Sequence, residues 1–309
     1  MFTCPIYCPS VSLTFPQLRL LHGFTHTVRA SRLRLSSTPG PSTLFLPVIT
    51  TSRSSPYECD YNLHKSNSTY FSDFDVGRLD LLVTLAGKGI DRTRKELSSE
   101  SGGFRIALGG VATNFRREIK PFQKFEVWTR ILCWDRKWLY LVGHFVQPGS
   151  VRRKRWVLQP WKDGNTPDKA DDEGGKKEPT IFASAIAKYC CKKGRLTIPP
   201  ERILTASELL PPKPAEHETP PVSETPDVQA NGDAVAAVPE LEKAAETLAG
   251  ESAGEVLAAS LTPKEGKEWD WRRVESERLR GMKVAELYAG LDRLNDEFNG
   301  GEGWVLGQY

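Results

Sequence analysis

The 309-residue sequence has no stretch approaching the roughly eighteen uninterrupted apolar positions that a membrane span requires. No transmembrane segment is expected, and the chain reads as soluble or only peripherally attached. It has little net charge, formally +3, and its basic residues are scattered over several segments. Nucleic acid is therefore not an expected partner, because a phosphate-tracking surface needs its cations concentrated on one face. The six cysteines, at positions 4, 8, 59, 133, 190 and 191, lack a metal-ligand spacing. The adjacent Cys190 and Cys191 are too close for an unstrained bridge. They read as reduced thiols of an intracellular protein, and no metal and no cofactor is expected.

Acidic residues are absent before Glu58, whereas residues 1–41 carry Arg19, Arg29, Arg32 and Arg34 among many Ser and Thr. That composition is similar to a mitochondrial transit segment, although Pro16 and Pro39 interrupt any long amphipathic helix. An unstructured extension is the other reading, so the expected compartment is cytoplasmic or mitochondrial. Residues 205–262 are almost without aromatics and dense in Pro, Glu and Ala, the composition of a disordered linker. With only 39% hydrophobic residues and 22 prolines, one compact domain with tails is expected. The boundaries read as an extension over 1–41, a domain over 42–204 with an inserted polar loop at 148–178, the linker, and a C-terminal helix and tail over 263–309.

Within the domain, "TLFLPVITTSR" from Ser42 onward is rich in β-formers, with Pro47 consistent with an edge or bulge. Tyr70, Phe74, Gly77, Leu81 and Leu85 then recur at three- and four-residue steps, which predicts a helix from Asn67 to about Gly87 with Asp73, Arg78 and Asp80 on its other faces. Gly77 on the buried face makes sense if the backbone there lies against a sheet. Ser66, Asn67 and Ser68 are all able N-cap residues. Three β-rich runs, 104–119, 124–134 and 138–147, read as consecutive antiparallel strands, and "TIFASAIAKYCCKK" as a fifth. The predicted fold is α+β, an antiparallel sheet of about five strands wrapped around one long helix. Near the C-terminus, Val284, Leu287, Leu291, Leu294 and Phe298 form a helical stripe that needs a surface, most plainly the sheet domain. His144, inside a strand pattern, reads as structural. "RRKR" at 152–155 reads either as a nuclear-import or polyanion patch or as a solvated loop.

The stretch "DYNLHKSNSTY", Asp60 to Tyr70, has the spacing Asp-x-x-x-His-x-x-Asn-x-x-Tyr just ahead of the long helix. It resembles the motif of the hot-dog-fold acyl-CoA thioesterases of the 4-hydroxybenzoyl-CoA thioesterase type, which runs Asp, two residues, Gly-His-Val-Asn-Asn, two or three residues, Tyr. "KFEVWTRILCWDRKWLYLVGHFV" further resembles the eukaryotic branch around thioesterase superfamily member six. The likeness spans roughly residues 43–195. Two departures from the motif matter: Leu63 stands at its glycine and Ser66 at its first asparagine.

The resemblance implies a hot-dog fold, a homodimer or higher homo-oligomer with sheets joined edge to edge, and an acyl-CoA or other acyl thioester as substrate. It implies catalytic roles for Asp60, as nucleophile or general base, and His64, with Ser66, Asn67 and Tyr70 binding substrate. Thioester hydrolysis needs an attacking or water-activating group and positive potential at the carbonyl oxygen. A helix N-terminus supplies the latter, and by the family pattern the N–H of Asn67 polarises the carbonyl. Blander readings stand beside these: Asp60 as a cap or Asx-turn residue, His64 as an orienting group, Tyr70 as helix–sheet packing. Two other functions remain open. One is a hot-dog domain without catalysis, acting as an acyl-binding or protein-interaction scaffold. The weaker is a dehydratase of the same fold, since no second acid–base pair with His is evident.

Overall fold

The structure, a computed structural model, describes residues 40–151, 156–158, 179–214 and 269–295. Residues 1–39, "RRKR", most of the polar insert, the segment 215–268 and Phe298 lie outside the described residues.

Six strands form one antiparallel sheet: β1 (Val48–Arg53), β2 (Phe104–Phe115), β3 (Lys124–Trp134), β4 (Trp138–Val146), β5 (Ile181–Lys193) and β6 (Leu196–Ile198). Their order is β1-β3-β4-β5-β2, with β6 beside β5. Strand β4 pairs with β5 up to Trp138 opposite Cys190, and β6 takes over opposite Cys191, Lys192 and Lys193. The sixth strand thus continues the track of β4 instead of widening the sheet. β1 begins only after Pro47, because residues 41–43 coil into a 3-10 turn that buries Leu44 and Phe45. The tight turn into β4 is held by Asp135, whose Oδ1 accepts the N–H groups of Lys137 and Trp138 at 2.7 and 2.6 Å.

Helix α1 (Asn67–Glu96) crosses the inner face of the sheet. Tyr70, Phe74, Gly77, Leu81 and Leu85 are buried, as their periodicity predicts. A Cβ on Gly77 would sit 2.5 Å from Thr129 Oγ1 of β3, so the helix backbone does lie against the sheet there. The helix runs nine residues past the expected stop at Gly87, because Ala86, Gly89 and Thr93 continue the buried stripe. A short helix, α2 (Pro200–Ala206), covers that extension, with Ser207 Oγ donating to the Ile203 carbonyl at 2.7 Å. One glycine costs a helix about 1 kcal/mol, which this packing offsets. Asp73 and Arg78, expected on other faces, are also buried, at 3% and 1% exposure. Asp73 sits three residues after Tyr70 and four before Gly77, on the packed stripe itself.

Helix α3 (Trp271–Ala289) begins at Asp270, whose side chain accepts the Arg273 N–H at 2.9 Å. On β4, Leu139 and Leu141 join the core under α1, while Tyr140 and Val142 pack with Ala285, Met282 and Tyr288. Alternation along a strand therefore puts α3 on the outer face of the sheet. The sheet domain is its surface, but the packed stripe is Val274, Gly281 and Ala285. Val284, Leu291 and Leu294 are exposed. The reason is close approach: a Cβ on Gly281 would lie 2.4 Å from the Leu132 carbonyl oxygen, so a small-residue face, not a leucine face, meets the sheet. Lys188 of β5 closes the contact with Asp292 at 2.5 Å. No helix among the described residues is long and apolar enough to cross a membrane.

Candidate active site

Between β1 and α1 the chain makes a 3-10 turn, Pro56–Glu58, and then a small hairpin. Cys59 and Lys65 pair as an antiparallel bridge at its base. The Ser66 N–H donates to the Glu58 carbonyl at 2.8 Å, the Asp60 N–H to the His64 carbonyl at 3.0 Å, and the Leu63 N–H to the Asp60 carbonyl at 3.1 Å. Leu63 at the tip has φ +58°, the left-handed conformation that favours glycine. The residue that departs from the motif thus keeps the backbone shape a glycine would supply, and the hairpin turns as a Gly-bearing loop would.

This hairpin brings Asp60 and His64 together, with Asp60 Oδ1 3.5 Å from His64 Nδ1. Asp60 Oδ1 also accepts the Asn62 N–H at 2.9 Å, an Asx turn. His64 Nδ1 lies 3.3 Å from the Lys65 carbonyl oxygen. Both neighbours of Nδ1 are acceptors, which favours a proton on that nitrogen. Nε2 is 4.0 Å from Glu118 Oε1, on the loop between β2 and β3.

Ser66 is the N-cap of α1, with extended backbone and no side-chain capping bond. Its Oγ is 3.2 Å from Ser68 Oγ, and its carbonyl accepts Thr69 N–H and Oγ1–H at 3.0 and 2.7 Å. Asn67, exposed, is the first helical residue, so its N–H has no acceptor within the helix and points from the positive end of the macrodipole. Tyr70 is buried beneath, edge-on to Phe115 and Phe145 at ring-centroid distances of 5.0 and 4.9 Å. Burial pushes its phenol up to about 12, against a backbone hydrogen bond at Ile119 that works the other way. It packs between helix and sheet.

Three charged residues that sequence reasoning passed over sit under the hairpin. The Lys65 ammonium is 2.8 Å from both Glu58 Oε2 and Asp73 Oδ2, with its side chain fully buried. The signal for Asp73 was its place on the packed stripe; Lys65, in a loop, has no periodicity to betray it. The β2–β3 loop forms a lip beside the hairpin. The Lys65 N–H donates to the Ile119 carbonyl at 2.8 Å and the Phe122 N–H to the Ser54 carbonyl at 2.8 Å. Arg53 Nη1 donates to the Phe122 carbonyl at 3.0 Å. Arg53, Arg116, Arg117, Lys120 and Lys124 are exposed along it, as are Tyr57, Tyr61, Leu63 and Phe122.

His144 stands apart. It alternates with Phe145, which faces α1, so it points to the outer face, where its Nδ1 is 2.9 Å from Ser184 Oγ. Burial, helped by Arg130 and Arg116, pushes it down to about 4, and it is neutral near pH 7.

The profile of the "Thioesterase-like superfamily" matches residues 54–159, from just ahead of the hairpin through α1 and strands β2 to β4. "Thioesterase poxG" of Penicillium oxalicum is 36% identical, over 84% of this chain and 72% of its own. "Probable thioesterase atnL" of Emericella nidulans is 34% identical, over 82% of this chain and 70% of its own. "Protein THEM6" of Xenopus laevis is 29% identical, over 37% of this chain and 52% of its own.

Proposed function

Because the chain belongs to the thioesterase-like superfamily, we propose that it hydrolyses an acyl-CoA thioester at the junction of the hairpin and α1. The observation that carries this reading is the Asp60–His64 pair at the start of the helix. Asp60 Oδ1 is engaged by Asn62 and His64, which leaves Oδ2 to act on water or on the carbonyl carbon. As general base, Asp60 takes a proton from water while the water oxygen bonds to the carbonyl carbon. As the C–S bond breaks, that proton passes to the departing thiolate, giving carboxylic acid and free thiol. As nucleophile, it displaces the thiolate to form a mixed anhydride; water then opens the anhydride, releasing the carboxylic acid and restoring the Asp60 carboxylate, while the proton that water gives up passes to the thiolate. In either case the negative carbonyl oxygen develops against the Asn67 N–H and the helix dipole. His64 holds Asp60 in place, with Ser66 and Asn67 lining the carbonyl position and Tyr70 flooring it. The step as written needs water and these side chains alone.

The cationic lip supports coenzyme A as the thiol carrier, since its phosphates, a pantetheine arm away from the departing sulfur, would meet cations at the rim of the site. The deciding experiment sets a chain-length panel of acyl-CoAs against the matching acyl-pantetheine thioesters, which lack phosphates, at low and high salt. We expect turnover of the CoA substrates, with a KM that rises by about tenfold between 0.02 and 0.5 M salt for them alone. Hydrolysis of neither series would end the enzyme reading; equal salt response would remove the lip from it.

The assembly proposed is a homodimer. β2, twelve residues long, pairs only with β5 among the described strands, so its other edge is an open template that a two-fold copy of itself would cover. Light scattering at micromolar concentration should give twice the chain mass, and a monomeric mass would exclude a site shared across that edge. The second reading, a non-catalytic interaction scaffold, is favoured by the exposed Val284, Leu291 and Leu294.

A further inference from the structure

The side chain of Lys65 is fully buried and links two separate elements: Glu58, on the 3-10 turn entering the hairpin, and Asp73, on the second turn of α1, each at 2.8 Å. Its ammonium also lies over the Tyr70 and Phe125 rings, 5.6 and 5.2 Å from their centroids. Its backbone closes the hairpin base opposite Cys59 and donates to Ile119. Its carbonyl oxygen faces His64 Nδ1. One residue therefore contacts the hairpin's entry strand, its exit strand, the helix, the lip and the histidine. The motif quoted for the related thioesterases has valine here, which would fill space without tying anything to anything.

Stability does not require such a lysine. Replacing a buried ion pair by apolar side chains is often neutral or stabilising, and the best-attested use of buried charge is to fix register. The ammonium donates a hydrogen bond to Glu58 Oε2 and forms an ion pair with Asp73 Oδ2, so the two contacts together set both the tilt of the hairpin and its distance from the helix. We propose that Lys65 is a positioning residue, which locks the Asp60–His64 hairpin against the N-terminus of α1 through Glu58 and Asp73. It touches no reacting atom; it acts by holding Asp60 in register with the Asn67 N–H. The inference rests on the thioesterase reading for its catalytic consequence, not for the lock itself.

The test uses the full chain and the variants Lys65→Met, Asp73→Asn and the double variant. Lys65→Met alone removes the cation between the Glu58 and Asp73 carboxylates and loses stability, whereas the double variant should recover a melting temperature near the parent's. At that restored stability, kcat on an acyl-CoA should stay at least about tenfold down with KM changed less than about threefold, since misplacement costs rate before it costs binding. Hydrogen exchange at the Asp60 and Ser66 amides should be at least about tenfold faster, with β3 and β4 unchanged. Unchanged exchange, or kcat within about twofold of the parent at restored stability, overturns the proposal. If the parent hydrolyses no thioester, the enzyme reading fails by itself and exchange alone decides the lock. If the double variant does not fold, Asp73→Asn, which keeps the Glu58 tie, should show an intermediate acceleration of exchange, and none would overturn the lock.

Discussion

Asp60→Asn is expected to lower turnover by about a hundredfold or more while the protein folds as before. The substitution keeps the oxygen that accepts the Asn62 N–H and faces His64 Nδ1, so the Asx turn and the hairpin survive. What goes is the charge that draws a proton from water or attacks the carbonyl. The structure also removes one competing explanation. Ser66, not Asp60, is the N-cap of α1, so no loss of helix capping can be blamed for a dead enzyme. The remaining bland reading, an Asx-turn residue and nothing more, predicts unchanged activity in Asp60→Asn and a modest loss of stability, on the order of 1 kcal/mol, in Asp60→Ala. Melting temperature and acyl-CoA hydrolysis on the same preparations separate the two. A folded Asp60→Asn protein with parental turnover would take Asp60 out of the chemistry and leave it an Asx-turn residue.

The start of α1, the existence of the long strands and the Asp60–His64 pair were legible because each rests on spacing; the strand order was not, since β2 reads as a neighbour of β3 but pairs with β5 at the far edge of the sheet. A buried helix stripe repeats at 3.6 residues, strands alternate at 2, and a motif with three residues between acid and histidine folds back on itself in a hairpin. What escaped is what spacing misreads. Asp73 and Arg78 read as lying on faces other than the apolar stripe, although Asp73 lies in phase with Tyr70, Phe74 and Gly77. Lys65 lies in a loop, where no period exists to mark it as buried. Leu63 read as a departure from the motif glycine, but an exposed leucine can be held at positive φ when both flanks are hydrogen-bonded, as they are here. In α3 the leucines suggested the packed face, whereas the contact selects small residues because Gly281 lets two backbones meet.

Gly77 gives the second large effect, and a cycle with Thr129 isolates it. An added methyl at Gly77 would lie 2.5 Å from Thr129 Oγ1, and Thr129 is fully buried in a strand where its β-branched side chain has little freedom to turn away. Among the described residues that hydroxyl oxygen has no hydrogen-bond partner. Gly77→Ala alone should gain about 1 kcal/mol of helix propensity but lose more, roughly 1–3 kcal/mol, to overpacking between α1 and β3. Thr129→Ala alone should be near neutral, since losing a buried methyl, about 1 kcal/mol, is offset by removing an unsatisfied polar group worth about 1–3 kcal/mol. In the double variant the new methyl takes the space the hydroxyl left, so the propensity gain remains and the clash does not. The double variant should thus be about 1 kcal/mol more stable than the parent, with a coupling of about 2 kcal/mol between the two sites in urea unfolding. Additive single effects would mean that the helix rides clear of β3 at Gly77. The distance between α1 and the sheet, which sets where the Asp60 hairpin sits, would then be fixed by Phe74 and Leu81 instead.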